Sequence, residues 1–264
     1  MVKQIITLTT DFGLRDPYVA EMKGVILEIC PEVQIVDISH EIEKFNVKMA
    51  SFLLASSAPC FKKSTIHVCV VDPTVGSERK PILIQTRKAY LIGPDNGVLS
   101  VAATKQGIIH AHEIQNHRFM RPNISRTFHG RDIFAPIAAY LAKGVQPSEF
   151  GAELPRITIP SSAIPIKKGK SLIGEIVFVD SFGNITTNIS ERQAQSWIGK
   201  TLFKMTIGSI TMNIKLRESY SEGETGEVFA IFGSHDFLEI SVNKNSASRA
   251  LHASIGEKIV LKNI

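Results

Sequence analysis

The stretch Ile66–Lys80, IHVCVVDPTVGSERK, joins an apolar, β-branched run to a carboxylate and a guanidinium. Ile66–Val71 reads as a buried parallel strand. Asp72 and Pro73 follow, then Gly76, which permits a tight backbone, and the charges Glu78 and Arg79. A carboxylate at the carboxyl end of a buried strand stands where open α/β sheets bind ligands. Further polar clusters stand at the ends of expected elements: Asp11, Ser125–Asp132 with His129, and Asp180–Asn184. Another, Ser234–Asp236, interrupts a strand pattern. Carboxylates, an arginine, a histidine and an amide at strand ends suit a polar ligand with hydroxyls and a charged group. Each cluster also has a plainer reading. Asp72 could cap a turn, with Arg79 a solvated charge. Asp11 could make an Asx-turn, Asp180–Asn184 could be a hairpin turn, and His129 could bond backbone at a helix start.

The elements that must position these residues alternate between strand and helix. Ile5–Thr9 reads as the first strand. Asp16-Pro17 reads as an N-cap followed by proline at the first helical position, and Met22, Val25, Ile26 and Ile29 form one apolar helix face closed by Pro31. Gln34–Ile38 is a second strand. Asn46 caps a helix running to about Ser57, and Ile66–Val71 is the third strand. This order predicts a parallel α/β sheet. Pro81–Gln85, Ala89–Ile92 and Gly107–Ile114 read as further strands, with Gly93–Gly97 a turn before a short helix near Val98–Ala103. Asp132–Leu141 fits a helix closed by Lys143-Gly144, which leaves His129 and Gly130 in the loop ahead of it. Residues 1–150 thus form an α/β domain. Residues 151–170, with three prolines and no clean period, read as a linker. In residues 171–264 strand alternation dominates, predicting a small β-rich domain, sandwich or barrel, with a short helix near Ser246–His252.

Composition narrows the classes. Apolar residues make up 44% and charged residues 21% of 264, as in a globular protein. No apolar run is long enough for a membrane span, and the N-terminal stretch has no signal-peptide core. Cys30, Cys60 and Cys69 have no metal-type spacing and read as free thiols in a reducing cytoplasm. The net charge of +5 is scattered and has no explanation in the motifs. Aromatics are 7% and do not interleave with Lys and Arg, so nucleic-acid binding is not indicated. GxGxxG, Walker A and G-x-S-x-G are absent from the sequence. His110, His112 and His117 lack a carboxylate or cysteine to complete a metal set and read as a polar strand edge. Met205 and Met212 read as core, and Trp197 as packing.

Six motifs lie in order along the chain: TTDFG at Thr9–Gly13, DPTVGSER at Asp72–Arg79, GPDNG at Gly93–Gly97, TFHGRDIFAP at Thr127–Pro136, DSFGN at Asp180–Asn184 and LEISVN at Leu238–Asn243. On these the chain resembles the S-adenosyl-L-methionine (SAM) hydroxide adenosyltransferases, or SAM hydrolases, relatives of the SAM-dependent fluorinase and chlorinase. The resemblance implies an N-terminal Rossmann-like α/β domain, a smaller C-terminal β-barrel-like domain, and a homotrimer with sites where subunits meet. It implies an Asp-Arg-His set, here Asp72, Arg79 and His129, that directs water at C5′ of SAM to give adenosine and methionine. Asp11 would bind the ribose hydroxyls and Asp180 the methionine amino group. Phe182 and Asn184 would contact the adenosyl part, with Ser234 and the neighbourhood of Glu239 on the adenine side. SAM is then substrate rather than cofactor, and no metal is needed.

The chain departs from the family pattern at Thr74 and Asp236, where glycine is usual. Relatives that use halide lack the Arg-His pair, so Arg79 and His129 favour water. The leaving group, a neutral thioether, needs no general acid, which leaves the weak nucleophile as the difficulty. The expectation is that neutral His129, disfavoured from charging by a helix N-terminus, accepts a proton from water while Arg79 stabilises the charge. An adenosyl transferase using halide or another nucleophile, a non-catalytic adenosine or SAM binder that regulates a partner, and a basic RNA-binding protein are the alternatives.

Overall fold

The strand that leads to Asp72 lies inside a six-stranded sheet. The computed structural model describes residues 3–161, 164–195 and 202–263. Trp197, expected to pack, lies outside the described residues. The chain divides into two units, Met1–Pro160 and Ser161–Ile264. In the first, β1 (Ile5–Thr10), β2 (Gln34–Ser39), β3 (Ile66–Val70), β4 (Pro81–Thr86), β5 (Tyr90–Pro94) and β6 (Ile108–Glu113) stand in the order β2-β1-β3-β5-β4-β6. β2, β1, β3 and β5 are parallel. β4 runs antiparallel to both β5 and β6, which corrects the all-parallel expectation. Only Arg87–Ala89 separate β4 from β5, enough for a hairpin but not for the roughly dozen residues of a parallel crossover.

Successive residues of β3 face opposite sides of the sheet. Val68 and Val70 pack with Met22, Ile26 and Ile137 from helices α1 (Tyr18–Ile29) and α4 (Ala135–Ala142). Cys69, and Val71 just beyond the strand, pack with Leu54 and Ala102 from α2 (Val47–Ser57) and α3 (Ser100–Gln106). Helices therefore cover both faces, which is why β3 is buried throughout, His67 included, rather than alternating. Asn46 caps α2 as expected, its side chain accepting from the Met49 N–H at 3.0 Å. Asp16 does not cap α1. Pro17 occupies the boundary itself with helical dihedrals, and no side chain supplies a cap bond. Gly93 and Pro94 belong to β5 rather than to a turn, and α3 begins at Ser100. The helix expected from Asp132 starts earlier, in a π-helical turn Gly130–Phe134 that runs into α4. His129 is the N-cap of that turn, with φ −65° and ψ −22°, so it stands on the helix start and not in a loop before it.

Residues 151–160, expected as linker, pack on the first unit. Leu154 N–H donates to Ala111 O, Glu113 N–H to Ala152 O, and Leu154 and Ile157 join the core. The second unit contains β7 (Ile166–Lys168), β8 (Ser171–Val179), β9 (Ile185–Ser190), β10 (Leu202–Ile207), β11 (Ile210–Arg217), β12 (Val228–Phe232), β13 (Phe237–Val242) and β14 (Lys258–Asn263). Their order is β14-β10-β11-β12-β13-β9-β8-β7, and β14 also pairs with β8, so seven strands close into a barrel with β7 added on β8. Closure leaves the barrel strands no free edge. Ile176, Phe203, Met205, Leu238, Ile240 and Ile259 fill its interior, and Met212 packs partly buried against them. The expected short helix is α6 (Ala247–Ala250), which follows α5 (Glu191–Gln195) in the chain. Among the described residues no helix is long and apolar enough to cross a membrane. The three cysteines are free thiols, Cys69 buried and Cys60 exposed.

Candidate active site

β3 carries the chain to Asp72, and the 72–79 loop turns back to bring Arg79 against it. Gly76 (φ +79°) makes this possible: a Cβ there would lie 2.4 Å from Arg126 O, so the loop is pressed on the segment leading to His129. Arg79 Nε donates to Asp72 Oδ2 at 2.8 Å, and Arg79 Nη2 lies 2.5 Å from the same oxygen. The two side chains are 4% and 7% exposed. Arg79 Nη2 also lies 2.5 Å from His129 Nδ1, fifty residues away in sequence. The guanidinium stacks 5.6 Å from the centre of Phe134, a residue of the π-helical turn. Arg79 is thus neither a solvated charge nor a turn partner.

The contact to His129 settles its tautomer. A guanidinium has only donors, so Nδ1 must accept, and a neutral ring then carries its proton on Nε2. Burial, and next the Arg79 charge, hold the His129 pKa below its ordinary value, opposed by Asp72 and Asp132. The ring is therefore neutral as expected, but its Nδ1 lone pair is committed to Arg79. This corrects the expected proton acceptance from water: what His129 offers is an Nε2–H donor.

Asp11, at the end of β1, is 6% exposed. Its Oδ2 accepts the Phe45 N–H at 2.9 Å, and its backbone carbonyl accepts from Lys44 Nζ. Phe45 holds a left-handed backbone (φ +66°), rare for an aromatic residue and costing about 1–2 kcal/mol, to present that N–H. Thr10 Oγ1 lies 2.8 Å from His40 Nδ1, and Gly13 N–H donates to His40 O at 2.8 Å, which pins the turn on both sides. A cavity of about 240 Å³ is lined by Asp11, Asp72 and His129 together with Phe12, Tyr18 and Phe45. Phe12, Tyr18 and Phe128 pack edge to face at 5.1–5.8 Å. Three of the four expected residues of this unit therefore meet at one wall, and Arg79 stands behind it. The sequence reading missed the aromatic wall, whose signal was an aromatic next to each of Asp11, Pro17 and Lys44.

In the second unit Asp180 serves its own turn. Its Oδ1 accepts the N–H groups of Phe182 and Asn184, each at 2.9 Å, and its Oδ2 accepts Asn184 Nδ2 at 2.9 Å. The hairpin-turn reading describes that geometry. The turn nevertheless borders a cavity of about 800 Å³ lined by Asp180, Phe182 and Asn184 with Tyr220, Lys244 and Arg249. Phe182 is 79% exposed. Ser234 and Glu239 are not in this lining. Ser234 is exposed in the turn between β12 and β13. Glu239 is buried, its Oε1 accepting from Tyr220 OH at 2.6 Å and Ser241 Oγ at 2.9 Å, so it reaches the cavity through Tyr220. Burial, and next the bond to Glu239, push the Tyr220 phenol pKa up. Tyr220 had no motif to mark it. Asp236 adopts φ +63°, a conformation glycine takes freely and Asp tolerates, which accounts for the residue usual in the family there. Thr74 needs no such backbone, and its hydroxyl lies 3.4 Å from Asp72 Oδ1.

The imidazoles of His110 and His112 lie on β6, an edge strand. Against expectation a carboxylate does reach one of them: Glu153 pairs with His110 Nδ1 at 2.7 Å, whereas His112 Nδ1 lies 3.2 Å from the backbone carbonyl of Gly151. Among the described residues no group of His, Cys, Asp and Glu has metal-holding geometry.

Residues 6–151 match the N-terminal domain and residues 174–260 the C-terminal domain of the SAM hydroxide adenosyltransferases. The chain is 37% identical to the (R)-S-adenosyl-L-methionine hydrolase of Methanocaldococcus jannaschii, over 98% of this chain and 95% of that protein. It is 32% identical to the protein of that name from Thermus thermophilus, over 96% and 97%. Identity to a fluorinase of an Actinoplanes species is 28%, over 70% of this chain and 71% of that one. A crystal structure of an uncharacterized conserved protein from Thermotoga maritima superposes with a TM-score of 0.90 at 36% identity, covering 98% of this chain and all of that one. With both of its domains matched and the two hydrolase relatives spanning nearly its full length, the chain belongs to the SAM hydroxide adenosyltransferase family.

Proposed function

We propose that the chain hydrolyses S-adenosyl-L-methionine. A water oxygen bonds to C5′, the C5′–S bond breaks with its electron pair passing to sulfur, and adenosine and L-methionine leave. The observation that carries this reading is the Asp72–Arg79–His129 chain of contacts at 2.5–2.8 Å, set in the wall of a cavity that also holds Asp11, in a member of this family. His129 Nε2–H donates to the water, and Asp72 accepts from it and takes its proton on to solvent. Arg79 touches neither substrate nor water. It fixes the Asp72 carboxylate and the His129 tautomer so that the water is held with one donor and one acceptor. Orientation opposite the sulfonium supplies much of the acceleration. SAM is consumed as substrate, and the chemistry calls for no further group.

Asp11 binds the ribose hydroxyls in this reading. Asp180 takes the substrate ammonium: an ionised carboxylate has about four acceptor positions, and its own turn uses three. Phe182, Asn184, Ser234 and Glu239 belong to the same substrate shell, Glu239 through Tyr220. We read the first unit as Rossmann-like, from its parallel β2-β1-β3 core between two helical layers, and the assembly as a homotrimer. Light scattering tests the trimer, and a monomer that turns over SAM removes it. The function is tested by incubating the protein with SAM in ¹⁸O-water, with and without chloride. Equimolar adenosine and methionine, with the label in adenosine, are expected. Unlabelled adenosine, a 5′-halogenated nucleoside or no product refutes it.

A further inference from the structure

The GPDNG motif lines neither cavity, yet its Asp95-Asn96 pair grips the loop that carries Asp72 and Arg79 at both ends. Asn96 Nδ2 donates to Val71 O at 2.9 Å, immediately before Asp72. Asp95 N–H donates to Lys80 O at 2.8 Å, immediately after Arg79. The Asn96 amide cannot turn over, because its Oδ1 accepts the Val98 N–H at 3.1 Å and so leaves Nδ2 for Val71. The pair is itself backed by the segment that ends the first unit. Asp95 Oδ1 accepts the Thr158 N–H at 2.8 Å, and a Cβ on Gly97 (φ +97°) would lie 2.3 Å from Pro160 Cγ. Val71 is wholly buried, so its carbonyl has no water to replace a lost partner.

We infer that Asn96 is a positioning residue for hydrolysis: by holding Val71 O it sets where Asp72 stands against Arg79 and His129. This rests on the hydrolase reading for its kinetic consequence, but not for its structural one. An ångström of misplacement costs about a hundredfold in rate, so the clamp is felt in turnover before it is felt in binding.

The decisive variant is Asn96→Asp. It is nearly isosteric, keeps an oxygen for the Val98 N–H, and loses the donor to Val71. At pH 8 its kcat should fall roughly ten- to a hundredfold, with adenosine Kd unchanged within about twofold. Deuterium uptake across residues 72–80 should quicken. Protonating the new carboxyl restores a donor, so the ratio of its kcat to that of the natural protein should climb as pH is lowered toward 5. Asn96→Ala should show the loss without the climb. Asn96→Ser still caps Val98 and is too short to reach Val71. It gives the same kinetic and exchange readouts should Asn96→Asp not fold. If Asn96→Asp or Asn96→Ser turns over normally while Asn96→Ala does not, Asn96 only closes its own turn onto Val98 and the inference is overturned. Unchanged exchange across 72–80 also overturns it. If the natural protein makes no adenosine from SAM, the hydrolase reading fails, and the exchange result still judges the clamp.

Discussion

Arg79→Met tests whether the Asp72–Arg79–His129 contacts act as one unit. The substitution keeps the apolar stem of the side chain and removes Nε and Nη2, which bond Asp72, the second of them also reaching His129. Asp72 is only 4% exposed, so its charge is left with no cation beside it, only the Thr74 hydroxyl and the cavity water. Breaking a buried pair from one side costs about 3–5 kcal/mol, whereas replacing both partners costs far less. At roughly 2–4 °C per kcal/mol for a domain of this size, the melting temperature should drop by about 10 °C. Asp72→Asn/Arg79→Met should recover most of that loss, which a double-mutant cycle in urea measures directly. The kinetic effect has a different origin. With Nδ1 released, His129 is free to rotate and to exchange tautomers, and kcat should fall about a hundredfold or more. Adding His129→Ala to Arg79→Met should then cost little beyond the worse single change. A loss under about 1 kcal/mol in Arg79→Met, or kinetic losses that multiply in the double variant, would refute the account of a buried bridge that holds the imidazole.

Four other outcomes follow from the structure. In His129→Ala, kcat should drop about a hundredfold with adenosine affinity retained; proportional loss of affinity would place His129 in binding instead. The turnover of the natural protein requires Nδ1 unprotonated, so activity should be lost as pH falls through the lowered His129 pKa, with an acid midpoint below 6.5. Asp132 raises that pKa, so Asp132→Asn should move the midpoint to still lower pH, and a rise would contradict the assignment. Burial lowers His67 from 6.5 to about 4, so its stabilisation is full above pH 6.5 and is lost as pH falls toward 4 while the unfolded chain gains a proton the folded one refuses. The loss is about 3 kcal/mol at ~1.4 kcal/mol per unit. Urea melts at pH 7.5 and 4.5 should show it in the natural protein and much less in His67→Phe.

What the sequence by itself determined is what local chemistry decides. The run Ile66–Val71 supplies a buried strand because apolar and β-branched residues dominate it, His67 being buried among them, and Asn46 caps α2 because an amide followed by helix formers satisfies the first free N–H groups. The six motifs were enough for the family, and they named Asp11, Asp72, Arg79 and His129 before any contact was known. Tertiary structure decided the rest, because the deciding partners are distant in the chain. β4 reverses against β5, since the short Arg87–Ala89 link rather than hydrophobicity sets direction, and β6, which follows α3, pairs antiparallel on the far side of β4. Arg79 meets His129 across fifty residues, and that single contact turns an expected proton acceptor into a donor. Asp180 spends its carboxylate on its own turn, and Glu239 speaks through Tyr220, an aromatic with no motif around it. Asn96 lies twenty-five residues from Val71, and no periodicity in the chain could have paired its amide with that carbonyl. Residue types are written in the sequence; which lone pair is free and which is taken depends on what folding brings within 3 Å.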